Sequence, residues 1–283
     1  DKVDNVKISK EDDNLGIIDN NIEEGFKDNK TTNIALFGLD QGEDGTTSRS
    51  DSIMIASVDK KHKKIKLTSI MRDTYVEIED QGMDKIGHAY AFGGPELAMK
   101  TINQNFNMNI RDFVSIDFAG FQKIIDAIGG VEIDVKPNEV SHVKIDGSGL
   151  QTLNGEQALA YSRIRKTGNG DYERTERQRV VMEEMLNKAM SLNVTKYPGL
   201  LNETLPYVDT SLSKMEILTL GTNVVTSNIR DIEQYRIPVD EHVEHQMING
   251  IFYMIPRDVD DNIALLKKFI YEDVKDQRVT NYD

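Results

Sequence analysis

Charged residues that could bind a phosphate-bearing substrate border three short apolar segments. Asp40 follows the first segment, Asp51 begins the second, and Arg72 follows the third. Paired aspartates supply the oxygen ligands that Mg²⁺ prefers in proteins, while guanidinium groups bind phosphate oxygens in pairs. Arg49 precedes Asp51 by two residues, so a second guanidinium could lie beside the carboxylates.

The three segments read as buried strands over residues 33–39, 51–58 and 65–71. A short turn, Asp59 to Lys63, joins the second strand to the third, which predicts antiparallel neighbours. The same pairing of the first two strands would bring Asp40, Asp51 and Arg72 to one sheet edge. A simpler interpretation stays open, in which the aspartates cap turns and Arg72 pairs with Asp73.

A second group of charges lies between Tyr161 and Arg179, where six basic residues accompany three acidic ones in a chain of net charge −14. Such a cluster is a candidate polyanion site, because each planar guanidinium can hold two phosphate oxygens. The segment contains five of the twelve arginines of the chain: Arg163, Arg165, Arg174, Arg177 and Arg179.

The periodicity predicts a long helix from Asp171 to Leu192, with Asp171 as its N-cap. Met182 belongs to the apolar stripe of this helix, and steps of four residues lead back to Gln178 and Arg174. An inward arginine requires an anionic partner, either a carboxylate or a bound phosphate. The alternative is a salt-bridged helix terminus with solvated arginines.

The remaining elements predict one α/β domain: a three-layer α/β/α arrangement with a mixed, partly antiparallel central sheet and helices on both faces. Further strands are predicted over 131–135 and 234–239, and helices over 96–106, 118–128, 155–161, 212–225 and 259–271. His88, in the loop after Lys85, is interpreted as a packing or capping histidine rather than a ligand.

Composition excludes several classes of function. The acidic chain of 283 residues argues against nucleic-acid binding, and the lack of cysteine excludes disulfides and thiolate catalysis. There is no Walker loop, nucleophile elbow or Rossmann glycine pattern.

The order of these motifs resembles the LytR–CpsA–Psr family over roughly residues 33 to 240. The similarity rests on the following segments: Gly38-Leu39-Asp40, Arg49-Ser50-Asp51, Ser69 to Thr74, Lys85 to Tyr90 with Gly93-Gly94, Gly129-Gly130-Val131, Leu153 to Gly155, Tyr161 to Arg165, and Asp171 to Arg174 with Arg177-Gln178. Met71 departs from the family, in which proline often precedes the arginine.

The resemblance implies an enzyme that moves a glycopolymer of the wall teichoic acid or capsule type. The donor would be an undecaprenyl-pyrophosphate-linked glycopolymer and the acceptor a muramic acid hydroxyl of peptidoglycan. It also implies a Gram-positive bacterium, a single N-terminal membrane anchor before Asp1 and an extracellular catalytic domain. We therefore expect a polar leader over 1–30, the catalytic domain over 31–275 and a tail over 276–283.

The resemblance also implies roles for individual residues. Asp40 and Asp51 would hold Mg²⁺, and apolar helices would flank a groove for the polyprenyl chain. The catalytic residues would be Arg72, Arg163, Arg165 and Asp171, with Asp171 and Asp73 both candidates for the base. The pyrophosphate would be bound by Arg49, Arg72, Lys85, Arg163, Arg165, Arg174, Arg177 and Gln178.

Three alternatives use the same residues or the same family. A polyprenyl-pyrophosphate hydrolase would share the site and lack an acceptor sugar. A non-catalytic module would bind the lipid-linked polymer without turnover. A transcriptional regulator is disfavoured by the acidic charge and the lack of a helix-turn-helix pattern.

Overall fold

A computed structural model describes residues 6–18, 31–40, 49–165 and 170–276. Within these ranges the strands are β1 (Thr31–Asp40), β2 (Arg49–Asp59), β3 (Lys64–Ile70), β4 (Tyr75–Ile78), β5 (Gly82–Lys85), β6 (Asp112–Asp117), β7 (Val131–Val135), β8 (Gly149–Leu153), β9 (Asp209–Thr210), β10 (Asp231–Ile237), β11 (Val243–Ile248) and β12 (Ile251–Pro256). The α-helices are α1 (Ala89–Phe106), α2 (Phe118–Ala127), α3 (Val140–Val143), α4 (Gly155–Ser162), α5 (Asp171–Ser191), α6 (Tyr197–Thr204), α7 (Lys214–Thr226) and α8 (Val259–Lys267).

The central sheet is mixed, with the strand order β10, β3, β2, β1, β6, β9. β1 pairs antiparallel with β2, and β2 pairs antiparallel with β3, which confirms the predicted pairing of these strands. β6 lies parallel to β1, and β10 lies parallel to β3. The end of β1, the start of β2 and the end of β3 therefore meet at one edge.

Helices cover both faces of this sheet, which confirms the three-layer α/β/α prediction. On one face Phe37 of β1 packs in a buried cluster with residues of α1 and α8. On the other face Leu67 of β3 packs with Met182 of α5 and Val224 of α7. A third cluster joins α2, α4 and α5 to the β7–β8 hairpin. Apolar burial on both faces is the main stabilising term of such a fold.

The described part of the predicted leader packs on the domain. Leu15 and Ile17 are buried in the same cluster as Phe37, and Asn103 Nδ2 donates a hydrogen bond to the Leu15 carbonyl oxygen at 2.8 Å. No helix forms over residues 6–18. Leu15 and Ile17 therefore belong to the core. The sequence analysis did not predict their burial, because two apolar side chains are too few to show a periodicity.

Every predicted strand and helix is present, and all but two of them have ends within three residues of the predicted ones. The helix predicted from Glu96 begins at Ala89, with non-helical backbone at Gly93 and Gly94. The last predicted helix ends at Lys267 and continues as a π-helical turn, Lys268–Glu272. The prediction missed β6 and the β4–β5 and β11–β12 hairpins, since short half-buried strands carry weak patterns.

Candidate active site

A cavity of about 410 Å³ lies at the sheet edge that the sequence predicts. Asp40 and Arg49 are cross-strand partners in the β1–β2 pair, and Arg72 follows β3. Ten residues line the cavity: Asp40, Arg49, Ser50, Asp51, Arg72, Asp73, Lys85, Gly87, His88 and Arg165. Four basic and three acidic side chains thus face one small space.

Arg72 lies at the centre of the charges. Its Nη1 pairs with Asp51 Oδ1, and its Nε lies 3.9 Å from both Asp73 Oδ2 and Asp171 Oδ1. Burial alone would lower the pKa of Arg72, but the charges of Asp51, Asp171 and Asp73 outweigh it and raise that pKa. The guanidinium therefore stays charged and is held in place from three sides.

A second cation reaches the cavity from the end of β5. Lys85 Nζ lies 2.7 Å from Asp73 Oδ1. The turn after Lys85 is bound to the segment that carries Arg72, because the Gly87 N–H donates a hydrogen bond to the Arg72 carbonyl oxygen at 3.0 Å. A Cβ at Gly87 would lie 3.1 Å from the Ser50 carbonyl oxygen and 3.2 Å from Arg72, so a side chain there would push the two segments apart.

The two arginines after α4 differ in position. Arg165 lines the cavity, is half-exposed, and has Nη2 3.9 Å from Asp51 Oδ2. Arg163 is exposed, with its Cζ 4.4 Å from the ring centroid of Phe118. That distance is typical of a cation–π contact. Arg165 therefore faces the cavity directly, whereas Arg163 lies against Phe118.

The first turn of α5 carries the deepest charges of the site. Asp171 is the first helical residue and Gly170, with φ of +62°, is the N-cap, so the N-cap prediction for Asp171 was wrong by one position. Arg174 is 2% exposed, which confirms its inward orientation, and its Nη2 lies 2.6 Å from Asp171 Oδ1. Burial lowers the pKa of Arg174, the charge of Asp171 offsets this only in part, and the nearby charges of Arg72 and Arg165 lower that pKa further.

Four polar atoms around this turn are buried without a hydrogen-bond partner among the described residues. They are Arg72 Nε, Arg174 Nε, Arg174 Nη2 and Asp171 Oδ2, although Arg174 Nη2 lies within ion-pair distance of Asp171 Oδ1. Buried donors left unpaired cost free energy, so an arrangement of this kind is typical of a site that binds a ligand. Two guanidinium donors together suit an anion with several oxygens.

Arg177 and Arg179 lie apart from the cavity. Arg177 Nε donates to Glu139 Oε1 at 2.7 Å, and Nη2 donates to Glu173 Oε2 at 2.9 Å. Arg179 Nε donates to Gln234 Oε1 at 3.1 Å, and burial together with Arg236 lowers the pKa of Arg179 to about 10. The structure gives Arg177 carboxylate partners, so the pyrophosphate role that the resemblance implied is not supported by its position.

An apolar groove of about 110 Å³ adjoins the charged cavity, and Asp51 lines both. The groove lies between β1, β2 and β6 on one side and α2, α4 and α5 on the other. Gln178 faces it, as the helical stripe predicts. Its apolar lining includes Leu36, Met54, Val114, Ile116, Phe118, Phe121, Leu159 and Met182.

Sequence reasoning missed the role of His88 in the site. His88 lines the cavity, and its Nδ1 lies 2.8 Å from Asp84 Oδ2. His88 occupies the N-cap position of α1 without a capping hydrogen bond from its side chain, and its ring packs edge-on against Phe92 with the centroids 6.1 Å apart, which agrees with the packing interpretation. Helical spacing could not have indicated this pair, because Asp84 lies in β5 and His88 follows in the turn before α1.

Asp40 and Asp51 fit a hard cation by chemistry, since both are carboxylates on adjacent strands that face one polar cavity. A second group, Asp59, His62 and Asp273, also brings three ligand atoms within 4.8 Å of one another. There, however, Lys66 Nζ already lies 2.8 Å from Asp59 Oδ2 and 3.2 Å from Asp273 Oδ1. The lysine ammonium thus neutralises the second group, and at the sheet edge Asp51 Oδ1 is likewise paired with Arg72 Nη1.

No helix among the described residues is long and apolar enough to cross a membrane.

The model of the LytR_cpsA_psr family matches residues 2–266. The chain is 43% identical over 189 residues to a polyisoprenyl-teichoic acid–peptidoglycan teichoic acid transferase, TagU, of Enterococcus faecalis, covering 64% of this chain and 61% of that protein. It is 37% identical over 248 residues to the TagU of Oceanobacillus iheyensis, covering 84% and 75%. A solved structure described as TagT bound to LIIa-WTA has a TM-score of 0.73 at 26% identity, covering 89% of this chain and 94% of that one.

Proposed function

The chain belongs to the LytR–CpsA–Psr family, and from this premise we propose that it is a glycopolymer transferase of the cell envelope. It would move a phosphate-linked glycopolymer, of the wall teichoic acid or capsule type, from undecaprenyl pyrophosphate to a muramic acid hydroxyl of peptidoglycan. The names of its TagU relatives support this class of reaction. The reaction uses an acceptor found outside the membrane, so the domain would act on the outer side.

One observation carries the proposal: a strongly charged cavity and an apolar groove share Asp51. A polyprenyl pyrophosphate has the same two-part chemistry, with an anionic head and a hydrocarbon tail. The tail would enter the groove between the sheet and α5, and the head would lie between Arg72, Lys85 and Arg165. The unpaired N–H groups of Arg72 and Arg174 would then donate hydrogen bonds to phosphate oxygens.

The transfer itself exchanges one phosphorus–oxygen bond for another. The acceptor hydroxyl oxygen attacks the phosphorus that carries the glycopolymer, and the bond from that phosphorus to the bridging oxygen breaks. The lipid phosphate leaves with the bonding electrons. The hydroxyl proton passes to a carboxylate at the cavity, for which Asp73 and Asp171 are the candidates. A loose transition state requires alignment and charge neutralisation more than covalent catalysis.

The arginines supply most of this neutralisation. Arg72 is fixed by Asp51, Asp73 and Asp171, so its donors need little reorganisation during the reaction. Arg165 would act on the same phosphates, and Arg49 lines the cavity opposite Asp40. Arg163 is placed further out, where it would approach the donor beside Phe118.

Asp40 and Asp51 would hold Mg²⁺. Four basic and three acidic side chains line the cavity, so the protein alone leaves a pyrophosphate diester only partly neutralised. When bound, the metal would add positive charge next to the leaving phosphate.

The test is phosphotransfer from a synthetic lipid-pyrophosphate sugar to peptidoglycan oligomers, with Mg²⁺ or EDTA. We expect coupled product that requires Mg²⁺ and is lost in Asp51→Ala but retained in Asp134→Ala, an exposed aspartate of β7. Lipid release without coupled sugar would instead indicate the hydrolase. Tight lipid binding without any turnover would indicate a binding module.

A further inference from the structure

The β11–β12 hairpin exposes a row of large side chains that the transfer reaction above does not use. His245 and Met247 of β11 and Phe252 of β12 lie on one face, because Met247 is paired directly with Phe252. Met247 is 65% exposed and Phe252 38% exposed, and the His245 and Phe252 ring centroids are 5.5 Å apart. Tyr172 extends the row, with its hydroxyl oxygen 2.7 Å from His245 Nε2. We call these four residues the hairpin platform.

The platform is anchored to the charged cavity at two points. The Met254 N–H of β12 donates to the Asp73 carbonyl oxygen at 2.9 Å, and the Asp73 carboxylate lines the cavity. Tyr172 directly follows Asp171, and Arg236 Cζ lies 4.5 Å from its ring centroid. The platform is therefore held in a fixed position next to Asp73, which lines the cavity, and Asp171 of α5.

The chemistry of the platform suits sugar rings. Aromatic, imidazole and thioether groups offer flat or polarisable apolar surface to the C–H faces of a saccharide, and the tyrosine and histidine edges retain hydrogen-bonding atoms. The hairpin contains no lysine or arginine, and its Glu244 is paired with Arg257 at 2.5 Å. An anionic membrane surface would instead favour a basic segment.

The location of the platform distinguishes the acceptor from the donor lipid. In the sheet order, the groove lies over β2, β1 and β6, whereas the hairpin follows β10 and contacts the segment after β3. The groove therefore lies toward the β6 side of the sheet, and the hairpin lies toward the β10 side, next to the segment that carries Arg72. A nucleophile must approach phosphorus roughly in line with the leaving group, and so from the side opposite the lipid phosphate.

We propose that the hairpin platform is the acceptor subsite, where sugar rings of the peptidoglycan glycan strand bind with a hydroxyl directed into the cavity. This inference rests on the proposed transferase function. It assigns to Tyr172, His245, Met247 and Phe252 a positioning role toward the acceptor, without contact to the donor phosphates.

Binding of the acceptor can be measured separately from turnover. The probe is a peptide-free peptidoglycan oligosaccharide, titrated into the whole chain without donor. Phe252→Ala and Met247→Ala should each weaken its Kd by about tenfold, the size typical of an important interface side chain. The control is Met215→Ala, because Met215 is 68% exposed, close to the 65% of Met247, and lies on α7 rather than on the hairpin.

In transfer assays the same two variants should show a higher KM for the oligosaccharide, with the KM for the lipid donor and the kcat at saturating oligosaccharide unchanged. Unchanged Kd in both variants, or an equal loss in Met215→Ala, would overturn the proposal. So would a loss of binding to phosphatidylglycerol vesicles with saccharide binding intact, since that result makes the hairpin a membrane contact. If the variants lose saccharide binding but wild type forms no coupled product, the transferase function fails and the saccharide site stands.

Discussion

Arg174 and Arg177 lie three residues apart on α5, are both buried, and should respond in opposite ways to the same substitution. Arg174 is 2% exposed, and burial lowers its pKa more than the charge of Asp171 raises it, while the charges of Arg72 and Arg165 lower it further. Its charge is therefore only partly compensated without a ligand, and its partner Asp171 is 26% exposed and would stay in contact with water if Arg174 were removed. Replacing a poorly compensated buried charge with an apolar side chain of similar length is often neutral or stabilising. For Arg174→Met we therefore expect a free energy of unfolding within about 1 kcal/mol of wild type or above it. Transfer should fall by roughly 100- to 1,000-fold, because a preorganised donor to the phosphates is lost.

Arg177→Met should show the reverse pattern. Arg177 pairs with Glu139, which is 2% exposed and whose Oε1 would lose its guanidinium donor. Removing one partner of a buried ion pair costs about 3 kcal/mol. At a temperature where the variant stays folded, transfer should remain within a few-fold of wild type, because Arg177 does not line the cavity.

Urea denaturation and transfer assays on both variants test this contrast. The reasoning is refuted if Arg174→Met loses more than about 2 kcal/mol of stability, since Arg174 would then be a structural ion pair. It is also refuted if fully folded Arg177→Met loses transfer to the same extent as Arg174→Met, since both arginines would then act on the substrate.

Two further predictions concern the other charged clusters. Arg165→Ala should lower the rate of transfer by about 100-fold. Arg163→Ala should lower it by less, because Arg165 lines the cavity whereas Arg163 lies against Phe118. Equal losses in parallel assays would contradict this difference and would place both arginines at the phosphates. Burial alone would raise the pKa of Asp59, but hydrogen bonds from Lys66 and His62 outweigh burial and lower that pKa. The stability that the Asp59 carboxylate contributes is therefore present above its unfolded pKa of about 3.8 and is lost as pH falls through the folded value. Asp59→Asn should therefore unfold at lower urea than wild type at pH 7, with the difference shrinking at pH 3, and a constant difference would contradict the linkage.

The charged edge of the sheet could be predicted because strands that are joined by a short turn have few possible arrangements. The turn after Asp59 allows only an antiparallel neighbour, and that pairing brings Arg72 to the edge that carries Asp51. The inward orientation of Arg174 likewise follows from helical spacing alone. Both predictions depend on the turn length and the residue spacing within a short segment, and these can be read from a single sequence.

The partners of each charge could not be predicted in the same way. Arg177 shares a helix and a motif with Arg174, yet it turns toward Glu139, 38 residues earlier in the chain. The contact between Met254 and Asp73 likewise joins segments that are distant in sequence. Composition and periodicity specify that a side chain is buried, but the identity of its partner depends on tertiary packing.

The two arginines of α5 also explain why a charged site of this kind can exist in a stable domain. Arg177 neutralises buried carboxylates and fixes the helix against the segment that carries Glu139, whereas Arg174 bears an unfavourable charge one turn away. The stability supplied by the Arg177 pairs allows Arg174, which is paired with Asp171, to keep buried donors unsatisfied until an anion binds. A phosphate that pairs with Arg174 and Arg72 would then remove a cost already present in the folded protein, so part of its binding free energy comes from relieving that cost. This asymmetry follows from the partners, since Arg177 contacts two carboxylates, Glu139 and Glu173, whereas Arg174 contacts Asp171.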